Sequence, residues 1–361
     1  MLEAMRGALV VLFLMIAPMA WAQTNIMDLT LPAIHVSAPA HDFLDGVAMA
    51  GDRIVVVGEH GLIAYSDDDG RTWRQAAVPV SVLLTDVAFA NAQDGWAVGH
   101  MGVILHTSDG GMTWQKQIDG RNVDALSLAA AQAAQAANSA LPTVELAVRR
   151  AELFQSIGPD RPFLAVLAQS PQQAIVVGAY RMAIRTNDGG KNWSDISLDV
   201  LDRLSHNLYD ISSVASGIYV SAETGIVFYS TDGGATFPQV TAPTDATLFG
   251  IAPTADGSVF AYGVAGAAYL SHDHGATWQS INVGTTSNIT SGLLLKSGAL
   301  VLVSETGGVY ISNDNGLTFR SLPEVMPMLL TALAQMPNGD VVVTGSSGVK
   351  ILSKSDFTKT Q

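Results

Sequence analysis

Thr186-Asn-Asp-Gly-Gly-Lys-Asn-Trp193 is one of six copies of an octapeptide whose recurrence decides the fold. The others are Ser66-Asp-Asp-Asp-Gly-Arg-Thr-Trp73, Thr107-Ser-Asp-Gly-Gly-Met-Thr-Trp114, Ser230-Thr-Asp-Gly-Gly-Ala-Thr-Phe237, Ser271-His-Asp-His-Gly-Ala-Thr-Trp278 and Ser312-Asn-Asp-Asn-Gly-Leu-Thr-Phe319. Each has Ser or Thr first, Asp third, Gly fifth, Thr or Asn seventh and an aromatic residue last. The first residues lie 41, 79, 44, 41 and 41 positions apart. The step of 79 is one period carrying a 38-residue insertion, and a further 41 lands on Ser353. There Ser353-Lys-Ser-Asp-Phe-Thr358 reads as a decayed seventh copy, with Ser355 in place of Asp.

The pattern extends upstream. Loops such as Val57-Gly58-Glu-His-Gly61, Val98-Gly99-His-Met-Gly102 and Ser346-Ser-Gly348 precede short apolar runs, among them Val103-Ile-Leu105 and Val309-Tyr-Ile311. Earlier runs include Ile54-Val-Val-Val57, Leu300-Val-Leu-Val303 and Leu84-Thr-Asp-Val-Ala-Phe89. Short β-branched and aromatic runs punctuated by glycine are strands. Three strands and a fourth beginning at the Trp or Phe, in about 40 residues, make a propeller blade. The expected fold is therefore all-β: a seven-bladed β-propeller of four-stranded antiparallel blades, one domain over residues 23–361. A closed ring also removes long exposed sheet edges. The last blade shows no fourth strand, so Ile26 to Val36 is expected to pair with it and close the ring.

Turn chemistry accounts for the octapeptide without catalysis. Gly supplies a permissive backbone, and the Asp carboxylate accepts bonds from turn N–H groups, with help from the Thr hydroxyl. Asp68, Asp109, Asp188, Asp232, Asp273 and Asp314 recur once per blade, as do Trp73, Trp114, Trp193, Phe237, Trp278 and Phe319. A catalytic Asp would be needed once or twice, so these are read as structural. Asp67-Asp68-Asp69-Gly70 lacks the alternate spacing and distal Glu of a calcium loop. His272-Asp273-His274 sits inside a turn motif without further ligands, so neither a metal nor a cofactor is expected.

The insertion falls between blades 2 and 3. Asn122 to Asn138 is rich in Ala and Gln, and Pro142 to Ile157 carries Val144, Val148, Ala151 and Phe154 at helical spacing. An α-helical hairpin is expected at about residues 121–158. Its few charges make it a poor membrane-surface helix.

Residues 1–22 read as a secretory signal peptide, with an apolar run from Gly7 to Ala17 and a small-residue site at Ala20-Trp-Ala22. The mature chain is expected to be exported, periplasmic or in a thylakoid lumen, and not to span a membrane. Charged residues are only 14% of the chain and 48% are hydrophobic, which excludes global disorder. The net charge of −14 speaks against nucleic-acid binding. Cysteine is absent, which excludes disulfides and a cysteine nucleophile.

The octapeptide resembles the Asp-box, or bacterial neuraminidase repeat. With its upstream Gly-x-x-Gly segment, the longer repeat is similar to that of the photosystem II stability and assembly factor family, over about residues 40 to 355 without the insertion. That resemblance implies a non-enzymatic exported propeller, a protein-interaction scaffold for a membrane protein or membrane-protein complex. It also implies relatives in non-photosynthetic bacteria linked with resistance-nodulation-division type transporters. Photosynthetic members are associated with a basic, Arg-rich surface, whereas this chain carries −14, which suits a bacterial relative with another client.

By propeller analogy the Gly-x-x-Gly loops and the blade-to-blade linkers share one face, opposite the Asp boxes, and the insertion overhangs it. Glu59, His60, His100, Tyr180, Arg181, Glu223 and Glu305 lie in those loops and are the candidate contacts. The rival readings are a glycoside hydrolase or sialidase-like enzyme and a glycan-binding, lectin-like propeller. A glycosidase needs two flanking carboxylates, for which Glu59, Asp86, Glu223 and Glu305 are available. The Arg-Ile-Pro segment expected of sialidases is absent, and no nucleophile elbow, P-loop or dinucleotide fingerprint occurs.

Overall fold

The computed structural model describes residues 26–137, 142–197, 205–215, 217–322 and 327–358. The expected signal peptide, residues 1–22, lies outside them. Seven antiparallel sheets follow one another along the chain, at residues 44–75, 84–118, 163–195, 208–241, 248–280, 289–321 and 330–352. They are blades 1 to 7. Six have four strands in simple meander order, and the seventh has three. The first strand of each blade packs against the first strands of its two neighbours, so these strands line the axis. The second strands, such as Arg53–Gly58 and Leu300–Ser304, are buried almost throughout and explain the apolar composition.

The octapeptides form the turns between third and fourth strands. In the copy opened by Ser66, the Ser66 hydroxyl donates to Asp68 Oδ1 at 2.9 Å, and the Gly70 amide donates to the hydroxyl at 2.9 Å. The Thr72 amide reaches Oδ1 at 2.8 Å and its hydroxyl reaches Oδ2 at 2.6 Å. The hydrogen bonds from Thr72 hold the Asp68 carboxyl down at about 2, and those from Thr277 do the same for Asp273. The fifth-position glycine turns left-handed and presses on the preceding blade: a Cβ on Gly234 (φ 90°) would lie 2.5 Å from Ile175 Cδ1. Trp114, Trp193 and Phe237 are buried beside it, so every box also cements a seam between blades.

A second set of ties surrounds the axis. The Thr85 hydroxyl donates to Phe163 O at 2.8 Å, Thr290 to Leu330 O at 2.7 Å and Thr331 to Leu44 O at 2.8 Å. The last of these crosses from blade 7 to blade 1. Around it Leu44, Val47, Ile54, Val56 and Leu62 pack with Ala334, Met336 and Val342. The ring thus closes by packing between whole blades.

The expected strand over Ile26 to Val36 does not form. Its backbone is captured by blade 1 and the following linker: the Ala33 amide donates to Val78 O at 3.0 Å, Ile34 to His60 O at 3.2 Å and Val36 to Gln75 Oε1 at 3.0 Å. The Ser81 amide donates to Asp28 O at 2.8 Å, and Lys116 Nζ to Leu29 O at 2.8 Å. Leu29 is fully buried among Val78, Val80, Met101 and Trp114, and that burial sets the route. Only Val36 reaches the blade 7–blade 1 cluster. At the other end a short helix, Lys354–Thr358, replaces the seventh box and buries Phe357 against blades 6 and 7. Leu29→Ala should destabilise the protein by about 2–5 kcal/mol, the usual range for a buried leucine. Truncation of the exposed Ile34 should change stability by less than about 0.5 kcal/mol. Denaturant titration of both variants checks this.

The insertion is a helical hairpin between blades 2 and 3, with α1 at Gly120–Ala137 and α2 at Pro142–Ile157. Ala131, Ala147, Val148 and Ala151 give it a small core of its own. Its base is anchored by Val123 and Leu126 against blades 2 and 3, and by a buried ion pair between Arg161 and Asp124.

Candidate functional site

The Gly-x-x-Gly loops and the blade linkers meet on one face. The Gly61 amide donates to Val82 O at 2.7 Å, and that of Gly225 to Ala246 O at 2.8 Å. The hairpin emerges from the same side, where Gly120 touches Gly102. The Asp boxes and the first hairpins of the blades lie opposite, joined for example by Arg53 and Asp67 at 2.6 Å.

The candidate residues are spread around this face, in three settings. Glu59, His60 and His100 line a recess of about 370 Å³ with Asp28, Ser81 and Met101, over the blade 1–blade 2 seam. Burial pushes the His100 imidazole below its ordinary value, so it stays neutral near pH 7. Glu223 and Glu305 face inward to the linkers. Glu223 accepts the amide of Asn207 at 3.1 Å and its Nδ2 at 3.0 Å; Glu305 takes the same two bonds from Asn288 at 3.3 and 2.9 Å. The two asparagines in turn accept the amides of Tyr180 and Ala265 from the preceding blades, at 2.9 and 2.8 Å. These glutamates therefore fasten one blade to the next.

Tyr180 and Arg181 stand under the hairpin. They border a cleft of about 40 Å³ with Arg150, Phe154, Arg161 and Ser127. The Arg161 guanidinium lies 4.0 Å over the Phe154 ring, and Phe154 meets Tyr180 at 5.4 Å. Arg181 holds the left-handed position (φ 62°) that glycine occupies in the corresponding loops. The Tyr180 ring is 53% exposed beside these arginines. Farther out, α2 presents Leu146, Leu153 and Ile157 to solvent.

At the loop-face end of the axis lies a channel of about 370 Å³, which pattern reading passed over. Its walls are the first residues of the inner strands, where a bulge turns one residue per blade inward. They include Asp45, Asp86 and Asp210, with Tyr209 and Phe249 ring to ring at 5.3 Å. No Lys or Arg lines the channel among the described residues. Burial pushes the carboxyl of Asp45 up to about 6 and that of Asp86 up to about 7, and raises Asp210 as well. Asp86 accepts the amides of Val87 and of Val166 in blade 3, each at 2.8 Å. Asp210 accepts that of Ile251 in blade 5 at 2.9 Å. The signal for these residues was present, since each falls one or two places after the fully buried residue that opens an inner strand.

Elsewhere the histidines of His272-Asp273-His274 diverge. His272 Nδ1 lies 2.7 Å from Ser258 Oγ, and His274 stacks on Tyr229. Among the described residues no group of three or more His, Asp or Glu side chains could hold a metal ion.

Comparison with known proteins follows this geometry. A family model, Photosynthesis system II assembly factor YCF48, matches residues 71–133 and 154–357. The unmatched stretch between them, residues 134–153, is the tip of the hairpin and most of α2. The Photosystem II assembly lipoprotein Ycf48 of Synechococcus sp. (strain CC9902) is 35% identical over 71 residues, 20% of this chain and 21% of the lipoprotein. The chain thus matches about a fifth of that curated relative's length. A solved structure, YCF48 bound to D1 peptide, has a TM-score of 0.64 at 17% identity, covering 90% of this chain and 99% of the other. YCF48 from Cyanidioschyzon merolae gives 0.62 at 17%, covering 87% and 95%. The WD40 propeller domain of Doa1 gives 0.61 at 14%, covering 92% and 99%. At such identities these structures bear on the fold alone.

Proposed function

Because the chain belongs to the photosystem II assembly factor YCF48 family, we propose that it is a non-enzymatic, exported scaffold that helps a membrane-protein complex assemble. Its client contact is an extended segment of a membrane protein, laid on the loop face between the hairpin and the axial channel. One observation carries this placement: the hairpin, whose outer part, residues 134–153, interrupts the family match, overhangs the face on which the channel opens. A family relative was solved with a D1 peptide, which favours a peptide ligand over a glycan. Asp86, Glu223 and Glu305, three of the acids a glycosidase could have used, are engaged with backbone amides between or within blades. Among the described residues no helix is long and apolar enough to cross a membrane. The net charge of −14 favours a client segment with basic residues, held by Asp45 and the Tyr209–Phe249 pair.

The hairpin's separate core makes the test clean. Replacing residues 131–151 by a short Gly-Ser linker removes that core and leaves Val123, Leu126 and the Arg161–Asp124 pair in place. The variant should melt within about 1.5 °C of the parent, the effect of roughly 1 kcal/mol in a chain of this size. Its capture of membrane proteins from solubilised host membranes should fall at least about tenfold, equivalent to about 1.4 kcal/mol. Undiminished capture would move the client off the hairpin. Absence of specific capture by the parent protein would remove the scaffold reading itself.

A further inference from the structure

The third strand of a blade lies between the second and the fourth, and six of the seven are covered on both sides. In blade 7 the third strand, Lys350–Leu352, pairs only with Val341–Gly345 among the described residues. Burial registers the difference. Ile63, Ile104, Ala183, Val227, Ala268 and Val309 occupy the same place in the other blades and are at most 2% exposed, whereas Lys350 is solvent-exposed. Ile351 is 39% exposed where Ala64, Leu105 and Ile184 are fully buried.

The covered blades show what belongs there. In four of them an aliphatic residue donates its amide to the first carbonyl of the third strand: Ala76 to Ile63 at 2.8 Å, and Ile196 to Ala183, Ile281 to Ala268 and Leu322 to Val309, each at 2.9 Å. Two polar residues precede it: Arg74-Gln75, Ser194-Asp195, Gln279-Ser280 and Arg320-Ser321. In blade 7 the corresponding acceptor is the Lys350 carbonyl. The chain's own candidate donor is Val36, which stands eight residues before Leu44 as Leu322 stands before Leu330. Its amide is bonded to Gln75 instead, and the residues before it are tied to blades 1 and 2. Phe357 already fills the aromatic position.

We infer that the outer edge of Lys350–Leu352 is a docking site for an extended segment of another protein. The segment binds antiparallel as the fourth strand of blade 7 and reads polar, polar, aliphatic. Strand addition of this kind takes its affinity from main-chain bonds and its selectivity from alternate side chains. A second copy of this chain is a poor occupant, because each edge carries the exposed Lys350, and edge lysines oppose edge-to-edge pairing. The site lies on the rim of the ring, and it stands or falls apart from the hairpin.

The test uses the full chain and a synthetic peptide of its own blade 6 segment, residues 318–323 (Thr-Phe-Arg-Ser-Leu-Pro). Saturable binding is expected with Kd between about 10 μM and 1 mM, as for a single short strand. Saturation should slow amide hydrogen exchange at residues 350–352. The same peptide with Leu322→Pro, which lacks the amide that donates to the first carbonyl of the third strand, should bind at least about tenfold more weakly. Three results would overturn the inference: no saturable binding; binding indifferent to the proline and without protection at 350–352; or a dimer of the free protein in which those amides are already protected.

Discussion

The Gly61→Ala variant should melt about 3–7 °C below the parent protein. Gly61 has φ 73°, where a side chain costs about 1–2 kcal/mol. A Cβ there would also lie 2.0 Å from Val80 O, which no L-residue can accept. The linker has little room to retreat. Val82 O accepts the Gly61 amide at 2.7 Å, Val80 and Val82 are buried, and Ala33 packs from outside. Forcing backbone against backbone in such a site adds about 1–3 kcal/mol. Arg181 supplies the control: it sits at the matching place in blade 3 at φ 62°, already with a Cβ. Arg181→Ala should therefore melt within about 1.5 °C of the parent, the effect of about 1 kcal/mol in a chain of this size. Differential scanning calorimetry of both variants decides the matter, and a Gly61→Ala protein as stable as the parent would show that the linker is free to move.

Stability should fall by about 2 kcal/mol between pH 5.5 and pH 8, driven mainly by Asp86. Burial pushes its carboxyl up to about 7 in the folded protein, from an ordinary value of 3.8. Between those values the unfolded chain has released the proton and the folded chain keeps it. The folded state then binds more protons, so stability declines as pH rises, until the folded group ionises near 7. Asp45, up to about 6, adds to the slope in the lower part of the window, and Asp210 shifts the same way. The box carboxylates act oppositely. Asp68 and Asp273, held at about 2, lend stability that is lost as pH drops from about 4 towards 2. Burial also lowers the pKa values of His100 and His106, which costs stability as pH falls below about 6.5, so the expected optimum lies between about pH 4 and pH 6. Urea titrations from pH 3 to pH 8 test this, and Asp86→Asn should flatten the alkaline limb. A stability that rises steadily to pH 8 would mean that the channel carboxylates are solvated and ordinary.

How far the molecule could be read from its residues depends on how locally each feature is determined. The octapeptide was legible because each conserved-type position in it has a job within eight residues: hydroxyl, carboxylate, left-handed glycine and ring. The hairpin was legible for a similar reason, since Val148 and Ala151 meet Ala131 of the partner helix at ordinary helical spacing. The route of residues 28–36 was not. It hangs on one leucine and on backbone bonds to blade 1, and a lone apolar residue in an aperiodic stretch announces no destination. The candidate face was read at the level of loops, but Glu223 and Glu305 turned out to serve the linkers because their partners, Asn207 and Asn288, are distant in sequence. Of the channel acids only Asp86 is legible in the sequence, as a possible glycosidase carboxylate; Asp45 and Asp210 escape notice because they sit inside strands that read as apolar. The bulge beside them, a property of pairing, falls between Leu84 and Asp86 and between Leu208 and Asp210, and no local sequence pattern marks it.

The tie from Thr331 to Leu44 joins residues 287 apart in sequence, and that separation has a consequence in time. A chain delivered from its N-terminus completes blade 1 long before blade 7 exists. Loop-closure entropy delays such a contact further. Throughout that interval the flank of blade 1 that carries Leu44, Ile54, Val56 and Leu62 has nothing to cover it, while residues 28–36 shield the opposite flank. The half-made ring is therefore an adhesive object with one dry and one wet side. Its vulnerable period ends only when the last blade arrives, and the N-terminal segment has by then been spent on the seam between blades 1 and 2.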